Sequence, residues 1–192
     1  MNKKNKSEGL KYPRLFTRDD IDVFDQFEYD YRTSVIRNPN GEIVFEMKNV
    51  EVPKQWSQIA TDILAQKYFR KAGVPQPDGS TGRETSVKQV AHRMANCWKA
   101  WGERYGYFAS KEDAQVFYEE LVYCILNQAC VPNSPQWFNT GLYESYGIKG
   151  KPQGHYYVDP ADNILKKSTS AYERPQPPAC FILSVEDDLV ND

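Results

Sequence analysis

Two segments in the C-terminal third carry the side chains with the most chemical potential. One is Asn133-Ser134-Pro135-Gln136-Trp137-Phe138-Asn139-Thr140-Gly141, the other Pro177-Pro178-Ala179-Cys180-Phe181-Ile182-Leu183-Ser184-Val185. The first reads as a Ser-Pro turn anchored by Trp137 and Phe138. Ser134 and nearby backbone amides would there hydrogen-bond a polar ligand, although a Ser-Pro step is as often only a turn. The second sets a thiol at the start of a short apolar strand. Such a cysteine is by default a small buried hydrophobe. Three features favour a ligand-facing thiol instead. The lead Pro175-Gln176-Pro177-Pro178 is rigid, Cys180 sits at the first turn into the strand, and the small Ala179 lets a ligand approach the backbone. Together the segments predict a pocket wall beside a redox cysteine.

The other candidates read as structural. Cys97 and Cys124 fall within helical patterns, and Cys130 falls where the third helix ends. The four cysteines lack CxxC spacing and have only His92 and His155 to assist them, which argues against a zinc site. His155, within Gln153-Gly154-His155-Tyr156-Tyr157, reads as a satisfied structural histidine. Glu186-Asp187-Asp188 reads as a solvated strand end rather than a cation site.

These groups need elements to position them. Residues 1–30 are charged and weakly patterned, which predicts an extended arm. Thr33–Arg37 and Glu42–Met47 flank Asn38-Pro39-Asn40-Gly41, a β-hairpin whose Asn-Gly pair supplies positive φ angles. Three helices follow. Trp56, Ile59, Ala60, Ile63, Leu64 and Tyr68 mark the first, which Gly73 and Pro75 end. A loop rich in Pro and Gly runs from Gly73 to Glu84. Ser86 with Gln89 forms a capping box for the second helix, lined by Val87, Val90, Ala91, Met94, Trp98 and Trp101. Ser110 with Asp113 opens the third, with Ala114, Phe117, Tyr118, Leu121 and Ile125 inward. From Val131 the helical period is lost, and seven prolines predict turns and extended pieces. One strand, Ala179–Val185, is apolar enough to be covered on both faces. The fold class is α+β and mainly helical. Its expected divisions are an arm over 1–30, a hairpin and helical domain over 31–130, and the start of a further domain over 131–192.

Composition narrows the function classes. Of 192 residues, 14% are aromatic, including thirteen tyrosines and four tryptophans, which suits a segment that packs onto another surface. A net charge of −2 gives no basic field for nucleic acid, so no direct DNA binding is expected. No apolar run approaches the roughly 18 residues that span a bilayer, and no signal-peptide core follows Met1. A soluble cytoplasmic protein with reduced thiols is expected, with no membrane partner.

The order of these segments resembles the N-terminal region of class II, adenosylcobalamin-dependent ribonucleotide reductases, from about Phe24 onward. The resemblance rests on Glu28-Tyr29-Asp30-Tyr31-Arg32, Lys71-Ala72-Gly73-Val74-Pro75 and Glu84-Thr85-Ser86-Val87-Lys88-Gln89-Val90. It rests further on Pro132–Leu142, Gln153-Gly154-His155-Tyr156, Ala179-Cys180-Phe181-Ile182 and Asp187-Asp188-Leu189-Val190. It implies a helical region leading into the first strand of a ten-stranded α/β barrel, with Cys180 on that strand. Cys180 would then be one of two thiols that reduce the ribose and become a disulfide. Ser134 and Ala179 would join it in holding the substrate. The cofactor implied is adenosylcobalamin, which raises a thiyl radical on a third cysteine, with its site mostly outside this chain. The partners implied are a ribonucleotide, taken as a diphosphate, the remaining part of the reductase and, indirectly, a thioredoxin-like reductant.

The second redox thiol, the radical cysteine and most of the barrel do not occur within the 192 residues. The resemblance therefore implies a fragment, inactive alone, from a truncation, a split gene or an interruption. Two alternatives stand beside it. One is a fragment of a class I large subunit; the other is a non-catalytic interaction or regulatory module derived from a reductase.

Overall fold

The computed structural model describes residues 9–176, so Ala179, Cys180 and the expected strand Ala179–Val185 lie outside the described residues. The order is β1 (Tyr29–Arg37), β2 (Ile43–Pro53), α1 (Gln58–Ile63), β3 (Val74–Pro75), β4 (Thr81–Gly82), α2 (Val87–Arg104), α3 (Lys111–Leu126), α4 (Ser134–Asn139), α5 (Leu142–Tyr146), β5 (Tyr156–Val158) and β6 (Leu165–Lys167). This is an α+β arrangement in which three antiparallel pairs, β1–β2, β3–β4 and β5–β6, accompany the helices.

The hairpin has the expected position but a different turn. Asn38 accepts from the Gly41 amide at 2.8 Å, so the turn is Asn38–Gly41 with Pro39 in its second place. Proline's fixed φ suits that position, and only Gly41, at φ 88°, takes the left-handed region. β2 also runs six residues beyond Met47. Arg32 pairs with Val50 but Ser34 with Met47, so β2 carries one extra residue between them, with Asn49 at φ 57°. This bulge brings Met47 and Val50, three apart, onto the same buried side as Val52.

That side packs on α2. Val87, Val90, Ala91, Met94 and Ala95 recur at helical spacing, are all buried, and join Val122, Ile125 and Leu126 of α3 in one core. Burying a side chain the size of Met94 or Leu126 contributes about 1.5–3 kcal/mol. The capping box at Ser86 and Gln89 is present, and Ser110 caps α3 by accepting from the Asp113 amide. Trp56 lies before α1 and donates from Nε1 to the Leu126 carbonyl at 2.7 Å, satisfying an acceptor at the end of α3.

The first helix departs from its expected face. α1 stops at Ile63 and continues as one π turn, Leu64–Tyr68, closed by the Phe69 amide on the Leu64 carbonyl at 2.9 Å. The buried face is Thr61, Leu64 and Ala65, at regular i, i+3, i+4 spacing, while Ile59 is 72% and Ile63 44% exposed. The loop after Gly73 is tied by the short β3–β4 ladder. Beyond Val131 the chain forms helices α4 and α5 and the β5–β6 hairpin, where turns and extended pieces were expected. The prolines mislead there, because Pro135 sits in the first turn of α4, where its missing N–H costs nothing.

Residues 9–28 run against α3, irregular except for one 3₁₀ turn, Val23–Gln26, capped by Asp22. Leu10 bridges to Phe108, Tyr12 donates its amide to Asp113 at 2.8 Å, and Arg14 pairs with Glu119. The amides of Leu15, Phe16 and Thr17 all point to the Glu120 carboxylate, at 2.9–3.1 Å. No helix among the described residues is long and apolar enough to cross a membrane.

Candidate functional site

Ser134 is not in a free turn; it is the first residue of α4. Asn133 caps that helix by accepting from the Gln136 amide at 3.1 Å, and Pro135 presets the backbone of the first turn. Trp137 is buried and donates from Nε1 to the Pro132 carbonyl at 2.8 Å, which closes the segment on itself. Thr140 Oγ1 donates to Gln136 across the end of the helix.

A buried ion pair fixes α4 to the core. Arg93 and Glu84 have no side-chain exposure and meet at 2.7 Å. Arg93 donates from Nη2 to the Trp137 carbonyl at 2.6 Å and from Nη1 to the Thr140 carbonyl at 2.7 Å. Glu84 accepts in addition from the Arg70 amide at 2.7 Å and the Tyr146 hydroxyl at 2.9 Å. Burial, and then the charge and hydrogen bond of Glu84, push the Tyr146 phenol well above its usual range. The pair is hydrogen-bonded on every side, the condition under which a buried charge pair is tolerated. Gly141 completes the joint: a Cβ there would lie 1.9 Å from the Arg93 carbonyl oxygen.

Tyr68, at the end of the π turn, faces this helix. Its hydroxyl lies 2.9 Å from Ser134 Oγ, with the pair open to solvent. Its ring stacks on Trp137 and tilts against Phe138, each with centroids 5.3 Å apart. Tyr68 also lines two surface depressions. One, of about 240 Å³, is apolar and formed by Trp56, Leu64, Ile125, Val131 and Trp137. The other, of about 380 Å³, carries Lys67, Arg70, Lys71, Phe138 and Tyr172. Ser134 is thus a rigidly mounted hydroxyl beside aromatic and cationic surface, an arrangement able to bind a polar, anionic ligand.

Cys130, expected to pack, is exposed just beyond the end of α3; the other candidates that are described are held within the fold. Burial pushes the Cys97 thiol up to about 12, which keeps it protonated and unreactive. Burial also raises Cys124. His155 bonds through Nε2 to the Arg174 carbonyl at 2.8 Å, and so holds the chain just before Pro175. His92 bonds through Nδ1 to the Tyr118 hydroxyl at 2.8 Å, and burial and then the Lys99 charge lower its pKa. Sequence reasoning gave Glu84, Arg93 and Tyr68 no part in the site. Arg93 did carry a signal: it stands between Val90 and Met94 on the apolar stripe of α2, where a guanidinium requires a buried partner.

A corrin cofactor does not fit the described residues. Both histidines have a ring nitrogen engaged within the fold, and no cluster of His, Cys, Asp or Glu suited to a metal occurs among these residues. An open depression of about 470 Å³ that includes Trp101, Tyr105 and Arg174 is too small to enclose a corrin ring with its appended groups.

Residues 30–128 match the family model described as class II vitamin B12-dependent ribonucleotide reductase. The chain is similar to the vitamin B12-dependent ribonucleotide reductase of Bradyrhizobium diazoefficiens, with 52% identity over 85% of this chain and 15% of the relative. It is 46% identical to the Agrobacterium fabrum protein of the same name, over 95% of this chain and 17% of that one. For the Rhodopirellula baltica protein the identity is 37%, over 94% and 17%. The chain thus spans 15–17% of the length of these relatives. The relatives are named for dependence on vitamin B12, so a cobalamin is the cofactor of the group. With that match across its hairpin and first three helices, and these relatives along nearly its whole length, the chain belongs to the family of class II vitamin B12-dependent ribonucleotide reductases.

Proposed function

We propose that the chain supplies the N-terminal part of a vitamin B12-dependent ribonucleoside-diphosphate reductase, in which Ser134 holds the ribonucleotide. The observation that carries this reading is the mounting of Ser134 on α4, fixed by Arg93 and Glu84 and left open to solvent beside Tyr68. A hydroxyl on a helix held by buried contacts suits binding better than one on a mobile turn would.

In this reading Ala179 and Cys180 form the adjoining wall, on the first strand of a ten-stranded α/β barrel completed by residues beyond this chain. Cys180 is one of a pair of thiols. The two thiols give up two electrons and two protons and become a disulfide, while the ribonucleotide loses its 2′ oxygen as water. An unperturbed thiol, with a pKa of about 8.5, is mostly protonated at neutral pH and can donate hydrogen. A thioredoxin-like dithiol, acting through the rest of the protein, restores the pair. The cofactor is the adenosyl form of cobalamin, held by the remainder of the reductase. The setting is the cytoplasm, where free thiols persist.

The test is complementation. The chain alone should not reduce ribonucleotides, whereas the chain joined to the remaining residues of a B12-dependent relative should do so with a dithiol donor. Cys180→Ser in that assembly should abolish turnover with the dithiol. Full-rate turnover by the Cys180→Ser assembly would remove the redox assignment.

A further inference from the structure

The geometry points to Tyr68 as the positioning residue of the binding site. We infer that its phenol donates to Ser134 Oγ, so that the Ser134 proton is turned outward to an acceptor oxygen of the ribonucleotide. This rests on the reading of Ser134 given above and adds a residue that the sequence motifs do not single out.

A serine hydroxyl has one proton and two lone pairs, and it rotates among three staggered positions. A neighbour 2.9 Å away removes that freedom. Either oxygen of the pair can be the donor while the site is empty. A phosphate oxygen accepts only, so with it bound the Ser134 proton must point at the ligand. Tyr68 then has to supply the proton of the bond between them. The result is a chain from Tyr68 O–H to Ser134 O–H to ligand oxygen, in which each bond polarises the next.

The phenol is placed for this by three independent features. The π turn Leu64–Tyr68 rotates the residues at its end away from the face a regular helix would give them. Trp137 and Phe138, of the same helix as Ser134, both pack against the Tyr68 ring, with centroids 5.3 Å from it. Arg93 reaches both backbones, with Nη2 2.6 Å from the Trp137 carbonyl and 3.5 Å from that of Tyr68. Core, ring and hydroxyl are therefore tied together by direct contacts. The Lys67, Arg70 and Lys71 side chains beside Tyr68 supply the sign of charge an anionic ligand needs.

The test uses the complete reductase formed from this chain and the rest of a B12-dependent relative. Tyr68→Phe keeps the ring stacking and deletes one oxygen. It should raise KM for the ribonucleotide roughly three- to tenfold, the scale of one hydrogen bond, with the melting temperature little changed. The change in kcat should stay within about twofold, since a group that binds ground and transition states alike acts on KM. In a Ser134→Ala background the same substitution should have no further effect, because its partner is gone. If Ser134→Ala raises KM and Tyr68→Phe does not, the inference is overturned and the reading of Ser134 stands. If Ser134→Ala leaves KM unchanged, that reading fails and the inference fails with it. Equal losses from Tyr68→Phe in both backgrounds would make Tyr68 merely structural.

Discussion

Arg93 and Glu84 meet at 2.7 Å with neither side chain exposed, and the same guanidinium holds the carbonyls of Trp137 and Thr140. One residue of α2 thereby sets the position of the helix that carries Ser134, forty-one residues further along the chain.

Arg93→Ala should accordingly be among the most damaging single changes. It strands the Glu84 carboxylate and two backbone carbonyls in the core, and breaking a buried pair from one side costs about 3–5 kcal/mol. Chemical denaturation of the chain measures the loss. A cost under about 1 kcal/mol, the level of an exposed ion pair, would show that α4 is held some other way.

Gly141 and Gly41 make a controlled comparison. Both take positive φ, at 83° and 88°, but nothing lies within 4 Å of a Cβ at Gly41, while one at Gly141 would sit 1.9 Å from the Arg93 oxygen. Gly41→Ala should cost about 1–2 kcal/mol, the left-handed backbone penalty alone. Gly141→Ala must also push α4 away from α2, so it should cost visibly more and raise KM in the complemented reductase. Equal losses in denaturation midpoint would contradict the close approach.

Acid should release the N-terminal run before the core opens. Burial acts to raise the Glu120 pKa, but the Thr17 hydroxyl and the amides of Thr17, Leu15 and Phe16 outweigh it, so the folded value lies below the ordinary 4.5. A depressed carboxylate contributes stability that is complete above the unfolded value and is lost as pH falls through the folded one. Hydrogen exchange at Leu15–Thr17 should therefore accelerate relative to the α2 core only below about pH 4.5, after correction for intrinsic exchange. In Glu120→Gln the protection should be weak at every pH and lose this acid step. An acid step that survived in Glu120→Gln would remove the assignment to this carboxylate.

What could be read from the residues alone follows from how local the determining interactions are. Ser86 with Gln89, Ser110 with Asp113, and the apolar stripe of α2 are contacts within one or two turns, and the structure has them as expected. The β2 bulge shifts Met47 and Val50 onto one side across an odd spacing, which no alternating pattern encodes. In α1 the inward face is Thr61, Leu64 and Ala65, so Ile59 and Ile63 are exposed although their spacing is helical. Ser134 was singled out by its neighbours in sequence, yet its mounting depends on Glu84, Arg93 and Tyr68, which are 41 to 66 residues away. Only the misplaced charge of Arg93 on an apolar stripe hinted at it. Around Pro135 the error was one of emphasis, since proline ends a helix from within but starts one from its first turn.

That last point can be tested through Asn133. Its side chain accepts from the Gln136 amide, and α4 is too short for propensity to sustain it without the cap. Asn133→Ala should cost about 1 kcal/mol, whereas Asn133→Asp, which keeps an acceptor in place, should cost much less. Because Ser134 is the next residue, fraying should also appear as a higher ribonucleotide KM for Asn133→Ala in the complemented reductase, with Asn133→Asp near the parent. If both variants bound the ribonucleotide as the parent does, the helical start at Ser134 would have no part in placing its hydroxyl, and the turn first read from Asn133-Ser134-Pro135 would be the better description of the bound state.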